Sequence, residues 1–120
     1  MDVTFFAAFS DCDYSRFEEI PESSFLGGGN FSKDQISDLL SCFRCSSSAL
    51  SDSLWLLPLS FSETLTKVDD EALKNIAVHW SNEASWENTN VNAMDLAGHV
   101  LELKYSYLQH SDKRMFALFE

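Results

Sequence analysis

Positive charge is what this sequence has least of. Its 120 residues hold 8 Lys and Arg against 19 Asp and Glu, for a formal net charge of -11. Eight cations cannot assemble the basic surface that phosphate contacts need, which excludes direct binding of nucleic acid. Docking on an anionic membrane is disfavoured for the same reason. No apolar run approaches the roughly 18 residues needed to span a bilayer, and the first residues lack the charged-then-apolar order of a signal peptide. Cysteine is sparse and odd in number, at Cys12, Cys42 and Cys45. Three cysteines make no disulfide framework, so reduced thiols and cytoplasmic residence are expected.

Cys42 and Cys45 form a C-x-x-C. Redox pairs of this spacing sit at a helix N-terminus, where the dipole lowers the thiol pKa. Here the pair falls near the end of a predicted helix, where the dipole acts the other way. Zinc would need further ligands, and no second C-x-x-C or H-x3-H is present. Plain buried thiols are expected, with no metal and no cofactor.

What is present is a globular composition, 45% hydrophobic and 22% charged. It predicts one domain over residues 1–120 with a core of its own. Three helix starts share one signal: an apolar residue, a capping residue, then an apolar residue four further on. The sets are Phe31-Ser32-Ile36, Val68-Asp69-Leu73 and Val91-Asn92-Leu96, each a hydrophobic staple around an N-cap. Ser32 with Gln35 adds a capping box, and Asn92 with Asp95 is a weaker analogue. Helices are predicted over 33–46, 70–82 and 93–110, with Ile36, Leu39, Leu40 and Phe43 inward in the first. Leu73, Ile76, Ala77 and Trp80 point inward in the second. The third is apolar over most of its circumference, with one stripe at Met94, Ala97, Leu101, Tyr105 and Leu108 and another at Leu96, Val100, Leu103 and Tyr107. That pattern predicts a central helix packed on more than one side.

A short helix is expected over 13–20, with Tyr14, Phe17 and Ile20 inward and Pro21 ending it. Residues 3–9 and 114–119 read as strands. The run 54–61 is either an edge strand or a short helix broken at Pro58. Gly27-Gly28-Gly29-Asn30 and the serine-rich stretch 45–53 read as loops. The expected fold is therefore α+β, a single compact domain of three to four helices with a small sheet containing the N- and C-terminal strands.

Motifs with chemistry of their own are few. Asp11, Asp13, Ser15, Phe17, Glu19 and Glu22 match the ligand positions of an EF-hand loop, but Arg16 stands where the loop needs glycine and Pro21 lies inside it, so a solvated acidic helix with its aromatic face inward is expected instead. The triple glycine completes no phosphate-binding motif. His79, His99 and His110 are scattered, and no serine sits in a nucleophile elbow. An enzyme would require a site assembled by the fold, from Cys45 with His99 or from carboxylates. The chain is expected not to be an enzyme.

Charge is distributed unevenly. Residues 1–32 hold Asp2, Asp11, Asp13, Glu18, Glu19 and Glu22 against Arg16, and residues 61–90 hold Glu63, Asp69, Asp70, Glu71, Glu83 and Glu87 against Lys67 and Lys74. If these two blocks adjoin in space, they form one anionic face able to steer a cationic protein. Trp86, ringed by acids and amides, is either an interface anchor or a cap on the core. The candidate partner-binding residues are Asp11, Asp13, Glu18, Glu19 and Glu22 from one block. From the other come Asp69, Asp70, Glu71, Glu83, Trp86 and Glu87.

The stretch from Asp69 to Glu120, less than half of the chain, resembles bacterial polymorphic-toxin and contact-dependent growth inhibition immunity proteins. The resemblance rests on an acid-capped helix ending in Trp80, the Glu83-Ala84-Ser85-Trp86-Glu87 turn, a capped helix around Asp95-Leu96-Ala97 and a closing strand. It implies cytoplasmic residence and stoichiometric neutralisation of a cationic toxin domain, a nuclease, whose substrate cleft would be covered by carboxylates. A second expectation from the same acidity is a phage-encoded anti-CRISPR or other DNA-mimic inhibitor.

Overall fold

The computed structural model describes residues 2–120. Two strands from opposite ends of the chain, β1 (Val3–Ala8) and β5 (Arg114–Phe119), pair antiparallel from Val3–Phe119 to Ala8–Arg114. The remaining strands are β2 (Phe25–Gly29), β3 (Ser48–Ala49) and β4 (Leu54–Leu56), and the sheet runs β2-β1-β5-β4-β3. Being central, β5 buries Met115 through Phe119 on both faces, which is why RMFALF is continuously apolar rather than alternating.

Side-chain alternation divides the core in two. One face of the sheet presents Val3, Phe5, Ala7, Met115, Ala117 and Phe119 to four helices. These are α1 (Lys33–Cys42), α2 (Leu59–Lys67), α3 (Asp70–Ser81) and α4 (Ala93–Tyr107). The opposite face presents Phe6, Leu54, Phe116 and Leu118, covered by Ile20 with Cys12, Tyr14 and Phe25 packed around it. The larger core lies under the helices.

The three stapled helix starts form as expected. Ser32 and Gln35 complete a capping box, Asp69 accepts from the Ala72 amide, and Asn92 accepts from the Met94 amide rather than pairing with Asp95. The expected fold class holds: four helices and an antiparallel sheet that contains both terminal strands.

Several segments differ from expectation. The first helix stops at Cys42 instead of continuing to 46. The amide of Arg44 bonds to the Ser41 carbonyl and that of Cys45 to the Leu40 carbonyl, which is a Schellman turn with Arg44 left-handed at φ 59. Residues 13–20 form no α-helix, only one 3-10 turn at Phe17–Glu19, and a second turn follows at Glu22–Ser24. This segment must lay several anchors across a sheet face, and an extended path reaches further than one helix. Phe17 consequently points outward and is 42% exposed. The run 54–61 holds both of its suggested elements, a strand and then a helix that starts after Pro58 and continues to Lys67. The two-residue strand β3 interrupts the serine-rich loop.

Two further corrections shape the surface. On α4, the stripe of Leu96, Val100, Leu103 and Tyr107 is buried together with Ala97 and Lys104, while Met94, Tyr105 and Leu108 are exposed. The triple glycine is not a loop but the edge strand β2, paired as Val3–Gly29, Thr4–Gly28 and Phe5–Gly27. A Cβ on Gly28 would lie 2.5 Å from the Val3 carbonyl oxygen, and Gly27 holds φ +157 with the Glu102 carboxylate above it. Glycine is demanded here by close approach of backbone and helix.

Candidate functional site: an acidic connection and a glycine-floored groove

The connection from β1 to β2 runs over residues 9–24 and carries five of the predicted partner-binding carboxylates with one cation, Arg16. All of Asp11, Asp13, Glu18, Glu19 and Glu22 are exposed. Its underside is fixed by Ile20, 5% exposed, and by Tyr14, whose ring meets Phe6 at 5.7 Å. Glu19 is held locally: its carboxylate accepts from the Ser15 hydroxyl at 2.9 Å and lies 3.8 Å from Arg16. The Ser15 hydrogen bonds, ahead of Arg16, keep its carboxyl below the ordinary range. Among the described residues, no side-chain hydrogen bond or ion pair engages the carboxylates of Asp11, Asp13, Glu18 or Glu22.

Beside this connection lies an open groove of about 500 Å³. Its floor is the bare backbone of Gly27 to Gly29, its aromatic wall is Phe17 with Phe25, and its rim carries Asp2 and Glu102. Phe17 is tied to the end of β5 by its amide, which donates to Glu120 Oε1 at 3.2 Å. The two rings of the wall sit 5.1 Å apart. Carboxylates over aromatic faces suit a lysine or arginine side chain, which gains both an ion pair and a cation–π contact. Phe9, 62% exposed, adds a further aromatic to the same connection. Sequence reading missed this groove. The signal available was the run of three glycines, whose meaning appears only when β1 and α4 close upon it.

The second acidic block lies across the sheet. α3 packs on the helical face, whereas the 9–24 connection covers the opposite face. The two blocks therefore do not adjoin, and the condition for one continuous anionic face is not met. The second block is itself divided, because Asp69, Asp70 and Glu71 stand at the start of α3 and Glu83, Trp86 and Glu87 beyond its end. A 12-residue helix separates them by about 18 Å.

Several of these residues already have partners inside the chain. Asp69 caps α3. Asp70 accepts from Tyr105 Oη at 2.5 Å and pairs with Lys104 Nζ at 3.0 Å. The Tyr105 hydrogen bond first, and Lys104 second, hold the Asp70 carboxyl below its usual range, and the same bond raises the Tyr105 phenol. The Trp86 ring meets Phe31 at 6.0 Å and Trp80 at 5.6 Å, both edge-on. It is half-buried and packs as a cap on the core. Glu71 and Glu87 are exposed and Glu83 half-buried.

The cysteines and histidines occupy separate surroundings. Cys42 Sγ lies 3.9 Å from Glu83, and burial together with Glu83 and Asp38 pushes its thiol up to about 11. Burial also raises Cys12 and Cys45. Cys45 donates to the Leu40 carbonyl, whereas His99 packs edge-on against Phe31, so the two form no dyad. Among the described residues, no three His, Cys, Asp or Glu side chains converge on a metal site, and no helix is long and apolar enough to cross a membrane.

No protein-family profile, curated protein or solved structure matches the chain.

Proposed function

We propose that this protein is an immunity protein, a cytoplasmic inhibitor that binds a cationic toxin domain of nuclease type and covers its substrate cleft. One observation carries the reading. The 9–24 connection displays four carboxylates with no partner among the described residues, and it carries the exposed rings of Phe9 and Phe17 as well. A connection of this length without regular strands or α-helix is uncommon in a compact domain unless it serves a function. Carboxylates on such a surface stand in for nucleic-acid phosphates against a basic cleft, and they speed the encounter with it. The aromatics supply the apolar contact that charge alone lacks. On this reading the interface lies on the back of the sheet and at the β2 groove. The start of α3, where Asp69 and Asp70 are already engaged, contributes less.

The test is retention from a lysate of the native host, with washes of rising salt. The parent chain should hold one basic protein in equal amount, and coexpression should relieve that protein's toxicity. The fourfold variant D11N/D13N/E18Q/E22Q should melt at the parent temperature and release the partner at a salt concentration where the parent retains it. No basic protein held at low salt would overturn the proposal. Retention of a CRISPR nuclease complex would replace it with the DNA-mimic inhibitor. Equal retention by the fourfold variant would remove the interface from this connection.

A further inference from the structure

We infer that the outer edge of β2 receives an extended, cationic segment of the partner as a sixth strand of the sheet. The inference rests on the reading above that the partner is a basic protein, and it specifies how that protein docks.

Main-chain alternation identifies the open groups. Asp2 and Glu120 exchange both of their hydrogen bonds, N to O at 2.8 Å each way. Even-numbered residues of β1 therefore direct their amides and carbonyls toward β5, and Val3 and Phe5 direct theirs toward β2. Their opposite numbers are Gly29 and Gly27. Gly28, between them, turns its amide and carbonyl away from the sheet.

Sheets ordinarily protect such an edge with lysine, proline, inward charge or shortness. At the far edge, β3 is only two residues long. β2 has five residues, Phe25-Leu26-Gly27-Gly28-Gly29, with no charge and no proline among them. A strand of five residues offers about 17 Å of edge. The groove beside it is lined by Gly27, Gly28 and Gly29 of this strand together with Val3 and Thr4 of β1.

Charge complementarity selects the occupant. Among the described residues, the groove is lined by two carboxylates, Asp2 and Glu102, and by no cation. Neither side chain makes a hydrogen bond or an ion pair among the described residues. They lie on opposite sides of the strand: Asp2 is at the start of β1, on the side of Thr4 and Phe17, and Glu102 is on α4, against the helical side of Gly27. Side chains of an added strand would point alternately to these two sides. A segment with lysine or arginine on both of its faces meets a carboxylate on each. Recognition by main-chain bonding with side-chain selection at alternate positions is β-augmentation.

The test uses a seven-residue peptide alternating lysine and valine, together with a chain in which the Gly28 amide is methylated (Gly28→sarcosine). Residues 1–41 can be synthesised and joined to the remainder at Cys42, with a ligated parent as control. An N-methyl group at residue 28 points outward, so the melting temperature should match the parent's. Binding of the peptide should slow hydrogen exchange at the Gly28 amide about tenfold or more. It should weaken about tenfold in the sarcosine chain and in Glu102→Lys, which leaves the backbone untouched. Absence of peptide binding, unchanged exchange at Gly28, or equal affinity of the sarcosine chain would each overturn the inference. The captured basic protein separates this from the broader proposal. If it is retained while Gly28 exchanges as fast in the complex as in the free chain, augmentation fails and the inhibitor reading stands.

Discussion

The two faces of the sheet are built on different terms. Under the helices, 24 buried residues among those described form one core, with Trp80 in mutual ring contact with Phe31 and Trp86 and its indole donating to the Gln35 carbonyl at 2.7 Å. On the opposite face five buried residues suffice, covered by a connection with no α-helix. The acids follow the same division. On the helical side Asp69 caps α3 and Asp70 ties it to α4. On the back, Asp11, Asp13, Glu18 and Glu22 have no such work. Stability is concentrated on one side of the sheet, and four of the five acids of the 9–24 connection on the other side take no part in it among the described residues.

The largest effect expected from that contrast is at Trp80. Trp80→Ala removes a side chain that is 1% exposed and should destabilise the fold by about 3–5 kcal/mol. Phe17→Ala on the other face, 42% exposed, should cost less than about 1 kcal/mol. Urea unfolding of the two variants measures both. Near-equal losses would break the contrast, because the back face would then carry as much of the stability as the helical one.

How much of this was legible in the sequence follows the same line. The helix starts were legible, because a staple and a cap are local: Ser32, Asp69 and Asn92 need only their own neighbours to act. The terminal strands were legible as well, since Val3, Phe5 and Ala7 alternate and 114–119 is apolar throughout. β2 was not. Glycine has poor strand propensity, and Gly28 belongs to a strand only because the Val3 carbonyl leaves no room for a side chain. The placement of the acids was equally hidden. Their number could be counted, but which side of the sheet each block faces depends on the path of the 9–24 connection. The third gap was the exposed stripe of α4, where apolar periodicity read as burial at Met94, Tyr105 and Leu108.

A smaller effect, opposite in sign, is expected at the end of α1. Arg44 holds the left-handed conformation of the Schellman turn, at φ 59, where a side chain costs about 1–2 kcal/mol. Glycine normally occupies that place. Arg44→Gly should therefore stabilise the chain by about 1 kcal/mol, after offset by the greater freedom of glycine in the unfolded state. A rise in the urea midpoint with unchanged slope would register it. Partner binding on the back face should be untouched, so a stabilised chain with weaker binding would show that the two sides are coupled.

The finest separation of the two kinds of carboxylate is by acid. Asp70 has its pKa depressed in the folded chain, first by the Tyr105 hydroxyl and then by Lys104. A depressed carboxyl contributes stability above its unfolded value, near pH 4, and loses that contribution as pH falls through the lower folded value. Asp70→Asn should therefore be less stable than the parent at neutral pH, and the difference should shrink below about pH 4. Tyr105 has the opposite sign. Its raised pKa contributes stability below about pH 10, lost as pH rises through the folded value. Tyr105→Phe should narrow its gap to the parent at the alkaline end. Asp13→Asn, which removes a carboxylate with no partner among the described residues, should leave the melting temperature at neutral pH unchanged. Melting temperatures from pH 2 to pH 11 would measure all three. A melting temperature at neutral pH lowered by Asp13→Asn as much as by Asp70→Asn would mean that the back-face charges also hold the fold. They would then no longer be free for a partner, and the division between a stabilising face and a binding face would fall.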